Sequence, residues 1–408
     1  MTAFSVPPEG PLPVACVSVS ASLGGSERVL LDFASRAAAH GIAPLVIVPK
    51  EGPLVEAATA AGVKVAVAPA RDDFLALSQR ASRNIGQLGT FAAGLWAWSR
   101  AIALAMSESR LEAGGRRAVL YSNGFKAHLA CSLLQGNRRV WHIHEFPPSG
   151  LGAAWRVVAG ALPHAVIANS LAVAEAWRFP GLPAPVAVLN GVDLMRFAPA
   201  PRTGWIHEQL GLPAEARLIG MPAVFARWKG HIRVVEAFER AAARLSDAHL
   251  VLVGGTIYDT AADRGFATEL VRRVGRASLC DTAQPLSCRI HFLRFQTDPW
   301  RLYPEFDVVV HFSLRPEPFG RVVVEAMASG VPVIAARAGG PVEIVEHGVT
   351  GWLVEPGNVA ALAETMVEAL GADRGAVGAA GRRVAEVAYS ADRFAAEVAA
   401  VLRRCASQ

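Results

Sequence analysis

Short runs of β-branched and aliphatic residues alternate, along nearly the whole chain, with segments whose apolar positions recur every three to four residues. In the first half the runs fall at residues 14–20, 44–48, 63–68, 118–122, 140–144, 165–168 and 186–189. A fresh series follows at 218–225, 250–254, 290–295, 308–312, 331–336 and 352–354. Short runs bounded by turn residues predict strands buried on both faces, and their alternation with helical periodicity predicts parallel sheets covered by helices. Two such series predict two doubly wound α/β domains. Between them, Asn190-Gly191-Val192-Asp193 and the Pro- and Gly-rich stretch 198–204 have the composition of a linker, which sets the boundary near residue 198. Ligands collect at the carboxyl ends of parallel strands, so two such domains facing each other predict an active site in the cleft between them.

Bulk composition narrows the classes. A chain of 408 residues is long for one core and suits two domains, and 52% hydrophobic with 18% charged residues describes a packed globular protein. The net charge of +5 is spread along the chain, which fits anionic small ligands or an anionic membrane surface and carries no nucleic-acid motif. The five cysteines are scattered without a C-x-x-C, so neither a disulfide framework nor a zinc site is expected, and the chain reads as reduced and cytoplasmic. No apolar stretch reaches the ~20 residues of a spanning helix, and the first residues do not read as a signal peptide.

The most informative segment is Arg315-Pro316-Glu317-Pro318-Phe319-Gly320-Arg321-Val322-Val323-Val324-Glu325 with the helix that it opens, closed by Gly330. Two carboxylates stand eight residues apart around a strand-to-helix turn, Glu317 in the loop and Glu325 more than one turn into the helix. A helix that starts there offers unpaired amides and the positive end of its dipole, a seat for phosphate. Arg227-Trp228-Lys229-Gly230-His231 follows another strand; Lys229 is suited to phosphate as a point charge and Arg227 as a fork. Taken alone, two basic residues at a strand end are a solvated rim; beside the Glu317–Glu325 segment they read as phosphate ligands. Gly24-Gly25-Ser26 follows the first strand and lacks the third glycine of a dinucleotide fingerprint, which disfavours NAD and leaves a plain turn or a ligand loop. Period-two alternation puts His142 and His144 on one face at the end of their strand, and with no third ligand in view they read as hydrogen-bonding groups and not as a metal site. Ala338-Gly339-Gly340-Pro341-Val342-Glu343 repeats the strand–Gly–helix design.

These motifs, in this order, resemble the retaining GT-B glycosyltransferases of family 4, often called group 1 transferases. The resemblance is closest from Asn190 to Gly357 and rests on Glu317 and Glu325 as the E-x7-E signature, Asn190-Gly191-Val192-Asp193, Lys229-Gly230-His231, Gly339-Gly340, Glu343 and Gly348-Val349-Thr350-Gly351-Trp352. It implies two Rossmann-like domains facing across a cleft: an acceptor-binding domain at 1–197, a nucleotide-sugar-binding domain at 198–385, and a C-terminal segment, 386–408, whose helix packs back on the first. It implies that Glu317 binds donor-sugar hydroxyls, that Glu325 accepts the ribose hydroxyls, and that amides of Phe319, Gly320, Arg321, Val322 and Val323, with Lys229, hold the diphosphate. His144 is expected at the transferring sugar, and Gly24 with Gly25 near the phosphates and acceptor. One departure stands out: the family often has an arginine five residues before the lysine, where this chain has Val224, so that Arg227 is left to substitute.

The function implied is hexosyl transfer, with retained anomeric configuration, from a UDP- or GDP-sugar to a glycan or lipid-linked acceptor in polysaccharide or glycolipid biosynthesis, with no metal and no other cofactor. Two other readings compete: a nucleotide-sugar epimerase on the same architecture, and a non-catalytic donor-binding partner subunit. From Arg80 to Arg117 six arginines and two glutamates surround the apolar run Phe91-Ala92-Ala93-Gly94-Leu95-Trp96-Ala97-Trp98, which predicts either a core helix with a solvated edge or a peripheral contact with the inner face of an anionic membrane.

Overall fold

The computed structural model describes residues 10–76, 85–112, 115–147, 162–255, 265–276 and 286–408. The chain divides into two compact units, one of Met1–Gly191 with Ala391–Gln408 and one of Val192–Ser390. Arg80, Arg83 and Cys280 lie outside the described residues.

The first unit is built on a parallel seven-stranded sheet: β1 (Leu12–Ser18), β2 (Ile42–Val48), β3 (Lys64–Val67), β4 (Val119–Asn123), β5 (Arg139–Ile143), β6 (Ala165–Ala168) and β7 (Val186–Ala187), in the order β3-β2-β1-β4-β5-β6-β7. Every residue of β1 is buried, which is why its sequence shows no alternation of apolar and polar residues. One face carries Val14, Cys16, Val46, Tyr121 and Ile167 and is covered by Val29 and Phe33 of the helix Gly25–Ala34 and by Phe394, Val398 and Leu402 of the final helix Ala391–Ser407. The other face carries Ala15, Val17, Leu45, Ile47 and Leu120 under Trp98 and Ile102 of the helix Ile85–Glu108. Trp98 satisfies its buried indole by donating to the Ala68 carbonyl at 3.0 Å.

The second unit repeats the plan with six parallel strands: β8 (Arg217–Pro222), β9 (Ala248–Gly254), β10 (Ile290–Arg294), β11 (Val308–His311), β12 (Val333–Ala336) and β13 (Trp352–Val354), in the order β10-β9-β8-β11-β12-β13. Ile219, Leu250, Val310, Ile334 and Trp352 meet Phe238 of the helix His231–Ala241 and Met366 of the helix Val359–Gly371 in one core. The Pro-rich stretch after residue 198 is pinned to this unit and does not hang as a free tether. Glu305 accepts from the Thr203 and Gly204 amides at 2.8 and 3.0 Å, and Asp307 pairs with Arg202 at 2.9 Å. In both sheets the order reverses direction between the first strand and its neighbour, β1 beside β4 and β8 beside β11, and at such a point the loops diverge and leave a crevice at the carboxyl edge. Among the described residues no helix is long and apolar enough to cross a membrane.

Candidate active site

At the β8/β11 crevice of the second unit the chain brings together Lys229 and Glu317, 88 residues apart in sequence. After β8 a 3-10 turn, Arg227–Lys229, leads through Gly230 into the helix His231–Ala241. Gly230 has φ +78°, and a Cβ there would stand 2.1 Å from the Phe312 carbonyl oxygen, so only glycine allows this turn to lie against the end of β11. The two loops are stitched by the Leu314 amide donating to the Trp228 carbonyl at 2.7 Å. Lys229 Nζ then donates to both carboxylate oxygens of Glu317, at 2.9 and 2.8 Å, with both side chains nearly buried. Ser313 Oγ donates to Glu317 Oε2 at 2.7 Å, and His311 Nε2 stands 3.4 Å from the same oxygen.

Glu317 is held from beneath as well. Its carbonyl accepts from the Gly340 amide at 2.8 Å; a Cβ on Gly339 would stand 2.2 Å from that carbonyl oxygen, and one on Gly340 2.3 Å from the Phe319 carbonyl oxygen. Gly339-Gly340 therefore serves as the floor of the Glu317 loop. Burial alone would push the Glu317 carboxyl up, but the Lys229 charge and the nearby His311 outweigh it and hold the group well below the usual carboxylate range.

The helix Arg321–Ala328 starts just beyond, capped by Gly320 in the left-handed region. The Val323 amide donates to the Gly320 carbonyl at 2.9 Å and is spent within the turn. The Phe319 ring is buried and contributes packing, against Tyr389. Glu325 is fixed on both oxygens: Arg321 Nε donates to one at 2.8 Å and Tyr303 Oη to the other at 2.6 Å. Each carboxylate oxygen keeps further lone-pair capacity for a hydroxyl. Arg227 turns toward the helix Phe266–Arg276, where it pairs with Glu269 and lies 5.2 Å from the centre of the Phe266 ring. Val224 offers no charge, so Lys229 is the basic side chain at Glu317.

The other candidates belong to the first unit. His142 and His144 do share a face, with ring centres 4.0 Å apart; Tyr121 Oη bonds His142 Nδ1, and burial pushes the His144 imidazole down to about 3. At neutral pH it is therefore a neutral hydrogen-bonding group. Gly24 caps the helix Gly25–Ala34, and a Cβ on Gly25 would meet nothing within 4 Å, so the chain's own packing does not demand glycine there. Reading the sequence alone missed Ser313, His311 and Tyr303. The first two stand within six residues before Glu317 and on one file of a strand end, a signal that alternation offers, whereas nothing in the sequence links Tyr303 to Glu325.

Comparison with known proteins agrees with this geometry. Residues 205–382, all within the second unit, match the family model described as glycosyl transferases group 1. The second unit therefore carries a group 1 glycosyltransferase domain. A D-inositol 3-phosphate glycosyltransferase of Mycolicibacterium gilvum is 35% identical over 197 residues, a match that covers 47% of this chain and only 40% of that relative. Among solved structures, Anabaena HepE, crystallised with UDP and glucose, superposes with a TM-score of 0.76 at 24% identity over 96% of this chain and 99% of its own. A UDP-forming α,α-trehalose-phosphate synthase from Burkholderia xenovorans, in complex with glucose-6-phosphate, gives 0.74 at 14% identity over 96% of this chain and 100% of its own. The fold is thus GT-B, two parallel-sheet Rossmann-like units.

Removing one partner of a buried ion pair leaves the other charge stranded, a loss of about 3–5 kcal/mol. Glu317 has a folded pKa below its unfolded value, so its contribution is present above pH ~4.3 and is lost as pH falls through the folded value. In Lys229→Ala the largest influence that lowers the Glu317 pKa is gone and His311 alone opposes burial, so this pH-dependent contribution shrinks. The stability difference between wild type and Lys229→Ala, measured by urea unfolding, should therefore grow from pH 3 to pH 6; a difference independent of pH would contradict the assignment.

Proposed function

We propose that this chain is a retaining glycosyltransferase that moves a hexose from a nucleotide-sugar donor to a hydroxyl of a glycan or lipid-linked acceptor. The observation that carries the reading is the Lys229–Glu317 pair beside the helix amides at the β8/β11 crevice. In this reading the second unit holds the donor and the first, with the helix Ala391–Ser407, takes the acceptor. Lys229 and the first amides of the helix Arg321–Ala328 meet the diphosphate, Glu317 accepts from hydroxyls of the donor sugar, and Glu325 accepts from the ribose. The match to the group 1 family model supports this assignment, and the presence of UDP with glucose on the Anabaena structure favours a UDP-sugar.

The chemical demand is to stabilise a departing diphosphate as the anomeric carbon gains oxocarbenium character. A lysine and oriented amides held in a mostly buried crevice do this without reorganisation, because their positions are set before the charge develops. Glu317 is locked to Lys229, Ser313 and His311, which suits a hydrogen-bonding carboxylate better than a nucleophile. The acceptor proton can pass to the leaving phosphate oxygen, so no separate protein base is assigned. An epimerase would need a proton-abstracting group at the sugar, and nothing at Glu317 favours one. In the same reading the protein works in the cytoplasm, in peripheral contact with the membrane's inner face. The helix Ile85–Glu108 supports this: it buries Trp98 and Ile102 yet leaves Trp96 and Leu104 each 59% exposed, with the Arg100 guanidinium 5.0 Å from the Trp96 ring centre. Such a stripe suits the headgroup layer of an anionic bilayer.

With a UDP-sugar and a competent acceptor extract, free UDP should form only when acceptor is present, the product should keep the donor's anomeric configuration by NMR, and Lys229→Ala should lower kcat by roughly 100-fold or more. Interconversion of the donor sugar without release of UDP would instead establish the epimerase, and nucleotide binding without turnover the partner subunit. The protein should co-sediment with anionic vesicles at low salt, and Trp96→Ala with Leu104→Ala should abolish this; retention in the supernatant would remove the membrane from the account.

A further inference from the structure

A departing nucleoside diphosphate carries more negative charge than one lysine balances, and sites that stabilise such groups gather further cations around them. After β8 the chain does not supply one. Val224 is uncharged, and Arg227 pairs with Glu269 at 2.5 Å and lies 5.2 Å from the Phe266 ring centre on another helix. After β12, Arg337 pairs with Glu355 at 3.2 Å. Arg315, two residues before Glu317, is exposed, where water screens its charge.

Arg321 is placed differently. It is the first residue of the helix Arg321–Ala328, so its backbone stands at the positive end of the helix dipole, where the proposed reaction puts the diphosphate. Its side chain is only 15% exposed, beside a Glu325 side chain at 7%. Nε donates to Glu325 Oε1 at 2.8 Å, while Tyr303 Oη holds the other oxygen at 2.6 Å. Helix stability does not account for this arrangement. A cation in the first turn opposes the dipole, and an i,i+4 pair with the basic residue on the N-terminal side is the weaker of the two orientations. An arginine that disfavours its own helix, withdrawn from solvent at an end that attracts anions, is explained by an anion that binds there. A guanidinium has several N–H donors in a planar fork, so that one edge can hold a carboxylate while another meets phosphate oxygens.

We propose that Arg321 is a further catalytic residue, whose guanidinium meets the donor's diphosphate and supplies the positive charge that Val224 and Arg227 do not. The inference rests on the reading of this crevice as a nucleotide-sugar site and adds a side chain to it. Bound to Glu325 at the same time, Arg321 joins the ribose end of the donor to its phosphate end. It exchanges no proton, because a guanidinium stays charged; it acts on the charge that develops at the leaving phosphate oxygen as the bond to the anomeric carbon breaks.

The affinity of the full chain for UDP relative to uridine, and for GDP relative to guanosine, isolates what the diphosphate contributes, and ligand-observed NMR reads both. Arg321→Gln keeps a donor for Glu325 and removes the charge. It should lower the diphosphate-to-nucleoside affinity ratio at least tenfold and leave nucleoside binding unchanged, which also shows that the variant is folded. Arg321→Lys, which keeps the charge, should hold the ratio close to wild type, and so should Arg315→Gln. Equal losses of nucleoside and nucleotide in Arg321→Gln would mean that the side chain acts only through Glu325 and would overturn the proposal. So would a ratio unchanged in that variant, or one lowered as far by Arg321→Lys or by Arg315→Gln. Failure of the wild type to bind either diphosphate would remove the donor reading and this proposal with it, whereas diphosphate binding indifferent to Arg321 would remove the proposal alone.

Discussion

The second unit is organised around a buried charge pair that cannot form unless two loops lie in van der Waals contact. Lys229 and Glu317 come from different strands, and each reaches the other because a glycine beneath it lets backbone meet backbone: Gly230 against the end of β11, Gly339 and Gly340 against the Glu317 loop. The pair sits where the sheet order reverses, so the same topological fact that opens the crevice sets the pair at its edge. A pair of this kind contributes little net stability, because desolvation offsets most of the attraction. Its value is positional. It fixes a carboxylate and an ammonium beside a helix N-terminus, where an anionic ligand can share the ammonium and its hydroxyls can share the carboxylate.

The two units share an architecture and differ in the side chains at their strand ends. The edge in the second unit is charged, and its two carboxylates are held, Glu325 by Arg321 and Tyr303 and Glu317 by Lys229 and Ser313. At the first unit's edge the groups are mostly neutral and unfilled, with amide oxygens and an imidazole that burial keeps uncharged. This contrast follows from side chains that stand at equivalent strand ends of two similar sheets.

Much of this was legible in the sequence because parallel strands buried on both faces write themselves as short apolar runs, and all thirteen runs fall on strands. The Glu317–Glu325 segment and Lys229-Gly230 were legible because a strand end, a glycine and a helix start lie within a few residues of one another. What escaped is what depends on contacts between distant residues. Arg227 looked like a phosphate ligand by position, but Glu269 and Phe266 lie across from it on another helix and draw it aside. The stretch 198–204 has the composition of a linker, and its sequence does not show that Glu305 and Asp307 hold it.

The central claim is that the β8/β11 crevice binds a nucleoside diphosphate through Lys229, the helix amides and Glu325. Calorimetric titration of UDP, GDP and ADP into the purified protein, repeated with Lys229→Ala and Glu325→Ala, tests it directly. The account predicts micromolar binding of one nucleotide, UDP by preference, lost in both folded variants; no binding of any nucleotide, or binding indifferent to both substitutions, would contradict it.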